Sequence, residues 1–259
     1  MITSKLSLSS CVTKNTFVAM TSRQQKSSAA GPVPAPTERP LLTVDVAILT
    51  LREDALHALL VRRAEPPHTG RWALPGGFIR SEDISLEGAA RRVLLDKTGI
   101  ETPYLEQLES YGDPKRDPRG WSATVAYVAL IASDRLEPRH GRNADAAAWW
   151  PVVGASVAPN LAFDHARILA GAITRVRAKV EYTTLPVHLL PAKFTLPDLQ
   201  GVYEQLLGRK LDKSAFRKRI AEVDFLEPVE GERRPASNRP AQLWRVKPGH
   251  RTVFFDRTI

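Results

Sequence analysis

The chain of 259 residues holds a single cysteine, Cys11, so it cannot form an internal disulfide and is not a cystine-stapled scaffold. A lone thiol fits a reducing compartment, and a cytoplasmic location is expected. Long apolar runs are also missing. None approaches the roughly 18 residues that a membrane-crossing helix needs. In the first forty residues the longest apolar stretch is Phe17-Val18-Ala19-Met20, short of the roughly 7–15-residue core of a secretory signal. What remains is ordinary globular material: 43% apolar and 25% charged residues, enough to exclude a wholly disordered chain.

Charge is unevenly placed. The formal +9 comprises +4 in residues 1–40, +1 in residues 41–180 and +4 in residues 181–259. A near-neutral middle between basic ends predicts that a polyanionic partner, if any, is met outside the large central domain. A plain solubility bias would leave the same pattern. Residues 1–40 are poor in acids, rich in Ser and Thr, and end in AAGPVPAPTERP. They are expected to be a disordered leader, with an organellar transit peptide as the other reading and Met20 as a possible start.

From Leu41 onward the pattern turns structural. LLTVDVAILTL, a polar turn at Arg52-Glu53-Asp54 and HALLVRR predict a β-hairpin. YLEQLESY, TVAYVALIA and AAAWWPVV predict three further strands. A helix is predicted from a Ser85 cap to a Gly99 stop, and a second in LAFDHARILAGAITRVRAKV with Phe163, Ile168, Leu169, Ile173 and Val176 on its apolar face. The fold class is α+β with a mixed sheet.

The stretch GRWALPGGFIRSEDISLEGAARRVLLDKTGI (70–100) predicts a strand, a glycine turn able to approach a phosphate, and an amphipathic helix. LPGG followed at this separation by RxxxxxTGI resembles the Nudix box, with Gly77, Arg92 and Gly99-Ile100 on its fixed positions and Asp83 nearest its first glutamate. The resemblance implies an α/β/α sandwich whose helix carries three glutamates. In this chain those positions hold Val93, Asp96 and Lys97. Positions i, i+3 and i+4 share a helix face, and Mg²⁺ needs oxygen ligands there. Valine offers none and lysine brings a positive charge, so only Asp96 is left as a weak metal candidate. No catalytic residue and no required metal are expected.

A nucleotide can still bind such a cleft. Gly76 and Gly77 would admit a phosphate, and Lys97 would meet it in place of a metal, unless it is simply a solvated helix residue. The loop YGDPKRDPRGW (111–121) resembles that of Nudix proteins handling ADP-ribose. Arg116 and Arg119 would contact phosphate and Asp117 would orient one of them or meet a ribose hydroxyl; a Pro/Gly surface turn is the plainer alternative. Arg71 and Trp72 are placed at the same cleft, Trp72 as a base platform or as core.

Residues 181–259 change character. Leu185 to Phe194, with two prolines, is expected to be a linker. TLPDLQGVYEQLLG is a helix with Thr195 and Asp198 as a capping box and Gly208 as its stop. DKSAFRKRIAEV is a second helix capped by Asp212, with Phe216, Ile220 and Val223 on one side. Ser214, Arg217 and Lys218 face away, with Lys213 and Arg219 on the flanks. Two short strands with a basic tip follow, so a winged helix-turn-helix is expected. Its second helix would enter a DNA major groove with Arg217 reading guanine, while Arg233, Arg234 and Arg239 neutralise phosphates. A protein-binding winged helix has the same outline.

FTLPDLQGVYEQLLGRKLDKSAFRKRI…RPAQLWR is similar to the C-terminal half of the NrtR family, the Nudix-related regulators of NAD metabolism. With the Nudix-like half before it, the resemblance runs from about Leu41 to Lys247. It implies a homodimeric repressor of NAD-related genes that binds operator DNA and takes ADP-ribose, NAD or a related metabolite as effector, with release or promotion of DNA binding both open. Two alternatives stand: a Mg²⁺-dependent ADP-ribose or NAD pyrophosphatase with an appended winged helix, and an RNA-handling Nudix protein.

Overall fold

A strand buried on both faces organises the molecule. In the computed structural model, β1 (Leu41–Arg52) sends Val44, Val46 and Ile48 to one side and Ala47, Leu49 and Leu51 to the other, as in a central strand covered by helices on both sides. The structure describes residues 39–99, 101, 104–133, 144–235, 240–250, 252–255 and 259. The expected leader, up to residue 38, and Arg239 lie outside them.

β2 (Ala55–Arg63) returns antiparallel to β1 through Glu53 and Asp54, whose φ values of 49° and 59° form a tight left-handed turn. β3 (Trp72–Ala73) pairs with β2, and β4 (Gly76–Phe78) pairs with β1. β5 (Tyr104–Asp113) and β6 (Ser122–Leu130) extend the sheet on the far side of β1, where β6 is its parallel neighbour. β7 (Ala144–Val153) and β8 (Ser156–Val157) extend it beyond β2. Among the described residues the order is β5-β6-β1-β2-β7-β8.

Each face takes one helix of the sandwich. α1 (Leu86–Thr98) begins where the Ser85 hydroxyl accepts the Gly88 amide at 2.9 Å and ends at Gly99, φ 69°. Its Ala89, Ala90, Val93 and Leu94 close over Val44, Val46 and Ile48. α2 (His165–Val180) covers the other face with Ile168, Leu169, Ile173 and Val176. Phe163, expected on this helix, instead precedes it with φ 55°, because the chain must turn sharply before the helix can start.

The expected linker is a second departure. Leu185–Leu189 forms a 3-10 turn in which Leu185, Pro186, Val187 and Leu189 are buried, and Phe194 is buried too. Its prolines shape a packed corner, where composition alone suggests a spacer. α3 (Leu196–Leu207) follows with the expected Thr195/Asp198 capping box, then α4 (Lys213–Val223) capped by Asp212, and the ribbon β9 (Leu226–Arg234) and β10 (Ala241–Val246).

The apolar face beneath α2 continues into this region. Leu49, Leu60, Ile168 and Ile173 belong to the same buried cluster as Leu199, Tyr203, Phe216 and Phe225. The Tyr203 hydroxyl donates to the Thr183 carbonyl at 2.7 Å, and Gln205 donates to Asp54 in the β1–β2 turn at 2.8 Å. The C-terminal end closes the joint: Phe255 and Ile259 amides donate to the Tyr182 and Glu181 carbonyls, both at 2.8 Å. Pro40–Ile259 is one compact unit. Among the described residues no helix is long and apolar enough to cross a membrane.

Leu199, fully buried in that shared core, tests its continuity. Leu199→Ala should cost about 2–5 kcal/mol and lower the melting of the whole unit as one calorimetric transition. A second transition left at the wild-type midpoint would show that the C-terminal part unfolds by itself.

Candidate functional site

The sheet and α1 enclose a cleft of about 280 Å³. Its floor is the pairing of β1 with β4, where Thr43, Val44 and Asp45 lie opposite Phe78, Gly77 and Gly76. Asp45 belongs to the β1 face that points toward α2, and it is the one acid of that strand, buried there. A side chain at Gly76 would place its Cβ 1.9 Å from Asp45 Oδ1, while at Gly77 a Cβ would meet Val93 Cγ2 at 3.2 Å. The two glycines, expected in a turn, therefore lie in a strand. Gly76 makes room for Asp45, and Gly77 lets α1 approach.

Around Asp45 lies a buried charge cluster. Arg116 donates from Nη2 to Asp45 Oδ2 at 3.3 Å and grips Asp164 with Nε and Nη2 at 3.1 and 2.9 Å. His165 Nδ1 accepts the Leu74 amide at 2.9 Å, which leaves the proton on Nε2, 3.5 Å from Asp45 Oδ1. Burial pushes this imidazole's pKa down and keeps it neutral. Arg116, expected on phosphate, is thus held by two carboxylates. Asp117 does orient an arginine: its carboxylate takes the Arg119 Nε and Nη2 at 3.0 and 2.7 Å, and the guanidinium lies over the Phe78 ring, 4.9 Å from its centroid.

On the α1 side, Asp83 forms a bidentate pair with Arg92, both contacts at 2.6 Å, and accepts the Arg80 amide. The Arg92 hydrogen bonds, then that of the amide, hold its carboxyl down to about 2. Asp83 is therefore a loop anchor. Val93 is buried, and Asp96 lies 3.6 and 3.7 Å from Arg80 and Arg92. Lys97 is half-buried on the cleft wall, and desolvation, helped by Arg63, lowers its pKa. This face presents one carboxylate ringed by cations and does not fit a Mg²⁺ site. Among the described residues no group of three or more His, Cys, Asp or Glu is placed to hold a metal.

The cleft lining carries Arg63, Arg80, Arg92, Lys97, Arg116 and Arg119 against Asp45, Glu65, Asp96 and Asp117. With His165 neutral, Asp83 and Asp164 just behind the wall balance Arg92 and Arg116, so the cleft offers oriented cations to an anion of nucleotide size and no net excess of charge. Gly76, Gly77, Lys97, Arg116, Asp117 and Arg119 are gathered there as expected. Arg71 and Trp72 are not part of the wall: Arg71 is exposed, and the Trp72 ring meets Trp150 edge-on at 5.4 Å. Asp45, Arg63, Phe78, Phe163, Asp164 and His165 escaped the sequence reading. Only Asp45 left a local signal, as a lone acid in a strand buried on both faces.

The second candidate surface lies on α4 and the ribbon. Lys213, Ser214, Arg217 and Lys218 are exposed, while Phe216 and Ile220 face the core. Arg219 is partly covered, 3.8 Å from Glu222. On β9, Arg233 is exposed, but Arg234 reaches back to Asp198 of α3 at 2.7 Å. That pair ties the ribbon to the helix pair at the surface, with Arg234 still 46% exposed beside the other wing cations.

Residues 41–171 match the NUDIX domain family, and residues 186–246 match the NrtR DNA-binding winged helix domain. The chain is 44% identical, over 80% of its length and 82% of the relative's, to an ADPR-responsive transcriptional repressor of Acinetobacter baylyi. It is similar to the crystal structure of Shewanella oneidensis NrtR complexed with a 27mer DNA, with a TM-score of 0.74 and 37% identity over 84% of this chain and 99% of that one. The Nudix domain of the same Shewanella protein, complexed with ADP-ribose, matches with a TM-score of 0.50 and 38% identity over 56% and 94% of the two chains.

Gly76→Ala should force Asp45 aside and destabilise the fold by about 1–3 kcal/mol, as overpacking does. Gly77→Ala, which asks only a small shift of a valine methyl, should cost less. Chemical denaturation of both variants checks the order; a reversed order would show that Asp45 does not abut residue 76.

Proposed function

The chain belongs to the NrtR family of Nudix-related transcriptional regulators, and from that premise we propose that it represses genes of NAD-related metabolism and releases its operator when ADP-ribose fills the cleft. The observation that carries this is the presence, on one continuous core, of a cation-lined cleft of nucleotide size and an exposed basic helix in a winged helix-turn-helix. In this reading Arg119, preset by Asp117, and Lys97 meet the diphosphate, and its charge offsets the cost of keeping Lys97 protonated. Arg217 reads a base edge from α4. Lys213, Ser214, Lys218, Arg219, Arg233 and Arg239 contact backbone phosphates.

We assign no hydrolytic role to the cleft and no required metal. Val93 and Lys97 stand where two carboxylates would have to hold Mg²⁺, and Asp96 alone does not make a hard-cation site. We further propose a cytoplasmic homodimer that sets two winged helices on a pseudo-palindromic operator. ADP-ribose then acts by linkage, lowering operator affinity by its preference for the DNA-incompetent arrangement.

Fluorescence anisotropy on duplexes from upstream of neighbouring genes tests this. Saturating ADP-ribose should weaken binding about 5–150-fold, with no product formed when Mg²⁺ is added. Mg²⁺-dependent turnover without sequence-selective DNA binding would establish the pyrophosphatase reading instead. Arg217→Ala should cost about 1–3 kcal/mol and relax base preference at one position. Lys218→Ala should weaken all sequences alike and flatten the salt dependence by about one unit. Equal behaviour of the two variants would remove α4 from the recognition role.

A further inference from the structure

Among the described α-helices, one begins without the cap its sequence provides. Ser85, Thr195 and Asp212 each accept a first-turn amide of α1, α3 and α4, from extended or near-extended backbones with ψ of 166°, 158° and 125°. Asp164 stands at the same place before α2, and aspartate is among the preferred cap residues. Its backbone, however, is at φ −94°, ψ 17°, and its side chain caps nothing. Both carboxylate oxygens are spent on Arg116 instead.

Arg116 is the other half of the anomaly. Its side chain is 4% exposed and forms part of the cleft wall, yet its Nε and Nη2 are committed to Asp164 and Asp45. A guanidinium binds a phosphate with the same two-point geometry it uses for a carboxylate. A diphosphate brought into this end of the cleft would be repelled by Asp45 and Asp164 unless Arg116 turned to it. Asp164 has somewhere to go, because its side chain is 20% exposed and lies beside the first turn of its own helix.

We propose that Arg116 exchanges partners when the nucleotide binds, leaving Asp164 for the ligand's diphosphate and so releasing Asp164 to cap α2. The exchange rests on the reading of the cleft as an ADP-ribose site and supplies its route to the DNA-binding end. Moving from ψ 17° to the extended backbone of a capping residue re-aims the first turn of α2. Phe163, at φ 55° with Arg63 over its ring at 4.8 Å, holds the entry to that turn. The buried face of α2 shares its core with Leu199 and Tyr203 of α3. Close-packed interiors shift between discrete arrangements more readily than they deform smoothly, so a re-aimed α2 carries α3 with it. In this scheme Arg116 is a ligand-binding residue and Asp164 a positioning residue.

The test uses the full chain and the variant Asp164→Asn. Asparagine caps helices well but carries no charge to hold Arg116, so the variant should resemble the ligand-bound state. By calorimetry it should bind ADP-ribose at least as tightly as wild type. Its operator affinity should already be weak without ligand, and the ligand's effect should shrink from about 5–150-fold to under about two-fold. Wild-type operator affinity with an undiminished response to ADP-ribose would overturn the proposal. Hydrogen exchange on the wild type supplies a readout that survives a poorly folding variant. ADP-ribose should change the protection of amides 165–169, and bound ligand with unchanged exchange there overturns the partner exchange alone. Absence of ADP-ribose binding by wild type would instead overturn the function on which it rests.

Discussion

The apolar face that β1 and β2 present to α2 is wider than α2 can cover, and the molecule depends on how the remainder is closed. Leu185, Val187 and Leu189 of the 3-10 turn fill part of it, and Leu199, Tyr203 and Phe216 of the helix pair fill the rest. Burying such side chains is the dominant favourable term in folding. The winged helix is therefore seated as part of the sheet's own core. The returning C-terminal residues add backbone hydrogen bonds at the joint, where Thr183 and Thr184 are buried and hydrogen-bonded. His188, tilted against Tyr104 with ring centroids 4.8 Å apart, is held neutral by the same burial, its pKa pushed down to about 4.

That seating constrains how a small ligand can act at a distance. A flexible tether would let the cleft fill without consequence for DNA. A shared, close-packed core does not. The cleft and α4 lie on different elements, but α2 touches both the charge cluster at its start and the buried face of α3 along its length.

The charges are arranged differently at the two ends. In the cleft, Arg92 and Arg116 are buried or nearly so and held by carboxylates, which fixes their geometry and offsets the cost of removing them from water. On α4 the basic residues lie in solvent, where a counter-ion atmosphere serves them and a polyanion can displace it. Preset arginines suit a small anion of defined shape, and exposed ones suit a long regular polyanion. The Arg234–Asp198 pair, 46% and 32% exposed, joins the ribbon to α3 at the surface.

The features legible in the chain alone are local. The β1–β2 turn, the Ser85, Thr195 and Asp212 caps and the stops at Gly99 and Gly208 all rest on hydrogen bonds or backbone angles spanning a few residues, so neighbouring letters specify them. The Nudix-like motif and the winged-helix pattern were legible for the same reason. Which distant groups meet follows from the packing of the folded chain. Arg116 reaches Asp45 and Asp164 across 71 and 48 positions, and the Gly76–Asp45 contact exists only through the β1–β4 pairing. The prolines of residues 185–194, expected in a linker, lie in a packed corner, and Arg234, expected on phosphate, also meets Asp198. Each is settled by what lies opposite in space, and neither local spacing nor composition carries that information.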